Sequence, residues 1–145
     1  MDNTENELLP LDEHLCFMLY ATSRAIQRLY HSNLTQKGLT YPQYLVLVIL
    51  YEHDNLTVKR LGEYLKLDSG TITPLLKRME KAGLLKRHRD SNDERIVYAS
   101  MTSKGRQKRE AAQDLPDVLR SHSQLSQDEW QTLMQLVNKL LKGVD

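Results

Sequence analysis

A single cysteine, Cys16, stands among 145 residues, so the chain can form no intrachain disulfide and no multi-cysteine zinc site. The five histidines (His14, His31, His53, His88 and His122) lack metal-ligand spacing, and neither a metal nor another cofactor is expected. No run of about 18 apolar residues occurs, which excludes a membrane-spanning helix and makes a membrane partner unexpected. The first ten residues are acidic and polar, the wrong sign for a signal or transit peptide, so a cytoplasmic protein is expected. Internal repeats and low-complexity segments are also missing. What remains is ordinary for a globular chain: 40% hydrophobic and 27% charged residues, at a length that suits one domain with a real core.

The net charge of +1 hides a segregation. Residues 57–109 hold 14 Lys/Arg against 6 Asp/Glu, a net of +8, while the remainder holds 6 against 13, a net of −7. A contiguous basic segment between acidic flanks concentrates near phosphates by counterion release, although a solvated basic surface is the other reading.

Residues 67–84 form the centre of that segment and read as one capped helix. Asp68 or Ser69 can accept a backbone N–H at its start, and Gly83 ends it. Ile72, Leu75, Leu76 and Met79 follow the spacing of a buried stripe, and Pro74 is expected in the first turn or so. The opposite face shows Ser69, Thr71 and Thr73, then Lys77 and Arg78. Short hydroxyls leading and cations following suit a recognition helix in a DNA major groove, and an amphipathic helix with a solvated face fits the same pattern.

In chain order, residues 11–35 read as a long helix whose apolar pattern is broader than one stripe, as for a helix packing on its own domain and on a second chain. Thr40 and Gln43 resemble a capping box, with Pro42 in the first turn, for an apolar helix over 44–53. Thr57 caps a short helix over 58–65, and Lys66-Leu67 turns into the central stretch. Two short helices joined by a tight turn form a helix-turn-helix pattern, here without the frequent turn glycine. Strands follow over 84–89 and 95–101, around the polar tip 90–94. This hairpin carries Lys86, Arg87, Arg89 and Arg95, and reads as a wing whose arginine enters a narrow minor groove or as a plain solvated hairpin. Thr102 caps a helix from 103 to about 119 that Pro116 kinks or interrupts. Ser126-Gln127-Asp128-Glu129 is a capping box for a last helix. Its apolar residues Trp130, Leu133, Met134, Leu136, Val137, Leu140 and Leu141 wrap more than half its surface. The cover expected for so wide a face is the first helix and its counterpart on a partner chain, in a two-fold homodimer.

The helix-turn-helix, Asp93-x-Arg95, and Met101-Thr102-x-x-Gly105 together resemble the MarR family of winged-helix repressors, whose wing signature is D-x-R-x5-L-T-x-x-G. Met101 stands where that family has Leu. The resemblance covers nearly the whole chain and implies a mainly α fold with a small β-wing. A winged helix-turn-helix at about 40–102 would be flanked by dimerisation helices at about 8–36 and 103–145, in one domain spanning 1–145. The implied partner is double-stranded, pseudo-palindromic operator DNA. Ser69, Thr71, Thr73 and Lys77 would meet base edges or adjacent phosphates, Arg78 either of these or the backbone. Arg95, oriented by Asp93, would enter the minor groove, and Lys86, Arg87 and Arg89 would neighbour phosphates.

Taken alone, Cys16 among Leu15, Phe17 and Leu19 reads first as an inert small core residue; its place early in a helix, where the dipole favours an anion, is the weaker sign of a reactive thiol. The segments 15–20 and 39–44, Tyr30, and 67–74 resemble the organic-hydroperoxide-sensing, single-cysteine (OhrR-like) branch of the family. In that branch the cysteine is the peroxide-reactive thiol. The resemblance implies that Tyr30 and Tyr41 of the other subunit reach its sulfur, with Tyr20 as a nearby supporting hydroxyl. With no second cysteine, an oxidised Cys16 would be capped by a small cellular thiol or overoxidised. The activity so implied is regulation of transcription, not enzymatic turnover. Alternatives are a regulator answering a non-covalent aromatic effector, a broader redox or virulence regulator, and, from another class, a thiol peroxidase.

Overall fold

The computed structural model describes residues 8–145; the acidic residues 1–7 lie outside the described residues. A single 3-10 turn, Leu11–Glu13, precedes α1 (Leu15–Gln36), α2 (Tyr41–Glu52), β1 (Asn55–Thr57), α3 (Val58–Leu65) and α4 (Ser69–Lys81). Then come β2 (Leu85–Arg89), β3 (Val97–Met101), α5 (Ser103–Ala111), α6 (Leu115–His122) and α7 (Gln127–Val144). The chain divides into two compact units, Met1–Gln113 and Asp114–Asp145. No helix among the described residues is long and apolar enough to cross a membrane.

In the first unit the core is local periodicity made three-dimensional. Val46, Leu47 and Leu50 of α2, Leu61 of α3, and Ile72, Leu75, Leu76 and Met79 of α4 are buried, together with Leu85 and Ala99 of the sheet. The N-terminal caps are those read from the sequence. Thr40 accepts from Gln43 N–H while the Gln43 side chain accepts from Thr40 N–H, and Asp68, not Ser69, accepts from Thr71 N–H at 2.8 Å. The left-handed residue of the α3–α4 turn is Lys66 (φ +58°), a conformation that costs a non-glycine residue about 1 kcal/mol. Glycine is needed one turn earlier, because a Cβ on Gly62 would lie 2.8 Å from the Leu67 carbonyl oxygen.

Several features differ from the sequence reading. The first helix begins at Leu15, because residues 11–13 close a 3-10 turn (Glu13 N–H to Pro10 O, 3.0 Å) and His14 is extended. Pro74 is the sixth residue of α4, past the first turn; the carbonyl left without its i+4 donor is that of exposed Gly70. The strand β1 was not expected. It pairs antiparallel with β3 (Leu56 opposite Ala99), making a three-stranded sheet of order β1-β3-β2. Finally, the interruption expected within 103–119 is present but lies earlier than Pro116: the chain leaves α5 at Ala112, and Pro116 falls in the first turn of α6.

In the second unit, Ser126 and Glu129 form the expected capping box, whose N–H donation from Ser126 holds the Glu129 carboxyl below its ordinary range. The Arg120 guanidinium lies 5.3 Å from the Trp130 ring. Leu133, Met134, Leu136, Val137, Leu140 and Leu141 of α7 are all exposed.

Candidate DNA interface and thiol site

The DNA-facing candidates lie in the first unit. Ser69, Thr71, Lys77 and Arg78 stand exposed on α4, with Thr73 half-buried. Between α4, the start of α3 and the wing runs a cleft of about 600 Å³, and Ser69, Thr73, Arg87 and Arg95 share its wall. The fold therefore brings the hydroxyl end of α4 and the wing arginine to one concave surface. Thr57 and Lys59 line the same cleft and were missed by the sequence reading. Their signal was present, since both belong to the cap and first turn of α3, where helix N–H groups and a cation favour phosphate.

The wing is braced by its own side chains. Asp90 Oδ1 accepts from the N–H groups of Asn92 (2.7 Å) and Asp93 (3.1 Å), which folds the tip. Asp93 then accepts from the backbone N–H and Nε of Arg95, both at 3.0 Å, and its second oxygen accepts from Nη2 at 3.1 Å. This fork holds the Asp93 carboxyl below its ordinary range while leaving the Arg95 side chain 91% exposed. Arg95 is thus aimed outward by Asp93. Arg89 donates to the Glu94 carbonyl at 2.7 Å, stapling the tip, and Lys86 is exposed.

Arg87 lines the cleft and also carries an ion pair. Its backbone N–H and guanidinium both donate to Glu80 (2.8 and 3.0 Å), and the backbone bond contributes most to holding that carboxyl below its ordinary range. Arg87 thereby braces the wing against α4.

The Asp93-to-Gly105 signature gains a structural reason. Thr102 Oγ1 donates to the Gly83 carbonyl at 2.6 Å and accepts from Gly105 N–H at 3.1 Å. A Cβ on Gly105 would sit 2.1 Å from the Leu84 carbonyl oxygen, so only glycine lets α5 approach the α4–β2 junction.

The thiol end is built otherwise. Cys16 is the second residue of α1 and exposed, with Leu15, Met18 and Leu19 exposed around it. Tyr20, one turn on and on the same face, is also exposed, and the Arg24 guanidinium rests 5.4 Å from its ring. The sequence reading missed Arg24, although the spacing 16, 20, 24 marks one helix face. Tyr30 is buried, its ring 5.8 Å from that of Tyr41, which stacks on Tyr44 at 6.1 Å. Burial, then the neighbouring tyrosines, pushes the Tyr30 hydroxyl up to about 12, and burial raises that of Tyr41. The two tyrosines therefore meet each other but not Cys16. Cys16 and Tyr30 lie 14 residues apart on one unbroken helix, about 21 Å along its axis. No group of three His, Cys, Asp or Glu able to hold a metal occurs among the described residues.

Comparison with known proteins places this geometry. The MarR family model matches residues 39–97, from the cap of α2 to the returning wing strand. The organic hydroperoxide resistance transcriptional regulator of Bacillus subtilis (strain 168) is 45% identical over 134 residues, 92% of this chain and 91% of that protein. The HTH-type transcriptional regulator MgrA of Staphylococcus aureus is 42% identical over 136 residues, 93% of this chain and 92% of that one. Among solved structures, reduced AbfR bound to DNA superposes with a TM-score of 0.76 at 37% identity, covering 93% of this chain and 94% of its own. With its recognition helix, braced wing and relatives alike in nearly full length, the chain belongs to the MarR family of winged-helix DNA-binding transcriptional regulators.

Proposed function

We propose that this regulator is a cytoplasmic homodimer that represses from operator DNA and senses organic hydroperoxides through Cys16, oxidation of which releases the DNA. One observation carries the reading: the exposed thiol and buried Tyr30 sit on the same helix about 21 Å apart, and Tyr41, at the start of α2, packs on Tyr30. They can form one site only across two chains. The exposed apolar faces of α1 and α7 are what such a dimer would cover. The similarity to a regulator of organic hydroperoxide resistance, and to a DNA-bound structure described as reduced, supports the same reading.

The chemistry follows from the residues. The Cys16 thiolate attacks the outer peroxide oxygen, forming S–O as O–O breaks; sulfur is oxidised by two electrons, and the departing alkoxide takes a proton to leave as the alcohol. Partner Tyr30 and Tyr41 hydroxyls, kept protonated by burial, donate to the sulfur, with Tyr20 beside it. Apolar neighbours favour organic peroxides over hydrogen peroxide. A small thiol then condenses with the sulfenic acid, forming S–S and releasing water, and the added bulk displaces the tyrosine contacts. In the DNA-bound state Ser69, Thr71, Thr73 and Lys77 face bases or nearby phosphates, Arg78 the phosphate edge, and Lys86 and Arg89 the backbone. Arg95, held by Asp93, enters the minor groove of each half-site.

The test is binding to DNA upstream of the protein's own gene, with and without cumene hydroperoxide. Wild type is expected to release and Cys16→Ser to stay bound. Release of Cys16→Ser at the same dose would refute the role of Cys16, and indifference of both proteins would leave a regulator with a non-covalent signal.

A further inference from the structure

The tyrosine pair is tied to a helix that no part of the sensing chemistry has used. Arg109 of α5 has a buried Nε without a hydrogen-bond partner, and its guanidinium lies 5.6 Å from the ring of Tyr44 and 5.7 Å from that of Tyr51. A buried donor lacking an oxygen acceptor is costly, and the faces of these two rings are what offsets it here. Tyr44 stacks on Tyr41 (6.1 Å, 24° between planes), and Tyr41 packs on Tyr30 (5.8 Å). An unbroken series of ring contacts therefore runs from α5 to the two hydroxyls proposed to meet the thiol.

The other end of α5 holds the reading helix. Thr102 donates to the Gly83 carbonyl, Lys104 Nζ donates to the Ala82 carbonyl at 2.8 Å, and Gly105 is packed on Leu84. These groups close the C-terminal end of α4 and the start of β2. Lys108, on the same helix, reaches the Lys37 carbonyl at the end of α1 (2.6 Å). One nine-residue helix, Ser103–Ala111, thus grips the recognition helix, the end of the thiol-bearing helix and the tyrosine stack.

We propose that Arg109 is a positioning residue of the sensor: through Tyr44 it seats Tyr41 and Tyr30 on α5, so that displacing the tyrosines displaces the support of α4. This rests on the peroxide-sensing reading of Cys16. An aliphatic side chain would fill the space, but it would let Tyr44 slide along α5. The flat guanidinium fixes the ring by its face.

The experiment measures, in full-length protein, the rate at which cumene hydroperoxide consumes the Cys16 thiol, and the ratio of operator affinities after and before oxidation. Arg109→Met is expected to bind the operator normally when reduced. Its thiol rate should fall by about tenfold, because the partner hydroxyls lose their placement, and its affinity ratio should shrink by about tenfold. Tyr44→Leu is expected to reproduce both effects, and the double variant to be no worse than either, the mark of residues acting in series. Arg109→Lys, which keeps the charge but not the flat fork, should recover only part. Wild-type rate and ratio in Arg109→Met overturn the proposal, as does a lowered melting temperature with both quantities unchanged. Should Arg109→Met fail to fold, Arg109→Lys decides: a wild-type rate and ratio there overturn it, an intermediate rate supports it. If wild type itself keeps its DNA in peroxide, the sensing reading falls first and this proposal with it; if wild type releases and Arg109→Met does so equally fast, this proposal alone falls.

Discussion

The proposed DNA-reading surface and the thiol end of α1 are built on opposite plans. Around α4 and the wing, aiming contacts close within one chain: Asp93 holds Arg95, the Glu94 carbonyl holds Arg89, and Glu80 holds Arg87. Around Cys16 almost nothing closes. The thiol, Leu15, Met18 and Tyr20 are exposed, and buried Tyr30, with Tyr41 of α2 packed on it, lies far along the same helix. A surface that must fit a rigid groove is pre-organised by local bonds, so binding need not order it. A sensor that must alter the relation of two chains gains by having its parts on different chains, because chemistry at the thiol then acts directly on their contact.

If that contrast is right, the largest effect comes from removing the partner while sparing the fold. Leu136→Glu, on the exposed stripe of α7, is expected to leave the protomer folded and to weaken operator binding about a hundredfold by loss of two-site avidity. Sedimentation and fluorescence anisotropy would show monomers that bind poorly; a tight-binding monomer would break the comparison. Next is Gly105→Ala, which forces a methyl group against the Leu84 carbonyl and is expected to cost about 1–3 kcal/mol of stability in thermal melts. Arg95→Ala should weaken operator binding by about tenfold to a hundredfold with an unchanged melting temperature, and Asp93→Asn by less, because the arginine remains but is no longer aimed. Unchanged affinity would remove Arg95 from the interface.

The smallest effect is a pH dependence. The Tyr30 hydroxyl titrates near 12 in the fold against 10.0 ordinarily, so between those values the unfolded chain sheds its proton first. Stability should therefore fall as pH rises through that window. Tyr30→Phe should reduce the fall, with the part due to Tyr41 remaining, as followed by denaturant melts from pH 9 upward.

Which parts were legible beforehand follows the range of each interaction. Asp68, Thr40 with Gln43, and Ser126 with Glu129 act within one turn, and the stripe Ile72, Leu75, Leu76, Met79 is a periodicity, so caps and the reading helix could be placed from the chain alone. The three residues of β1 could not. They are a strand only because Asn55, Leu56 and Thr57 face Ser100, Ala99 and Tyr98, more than forty residues on. The ion pair of Arg87 was not legible for the same reason, since its partner Glu80 sits on another element. Arg109 has no local signature at all: its role depends on α5 lying over Tyr44 and Tyr51 of α2. The start of α1 was placed early because apolar spacing does not distinguish a 3-10 turn from a helical one.

The central claim, a sensor shared between two chains, is tested most directly in a mixed dimer. One chain carries Cys16→Ser with its tyrosines intact; the other keeps Cys16 but carries Tyr30→Phe and Tyr41→Phe. The remaining thiol is expected to react with cumene hydroperoxide at the wild-type rate, because its tyrosines are supplied by the partner. A rate as slow as that of the homodimer carrying both tyrosine substitutions would place the tyrosines on the thiol's own chain and contradict the account.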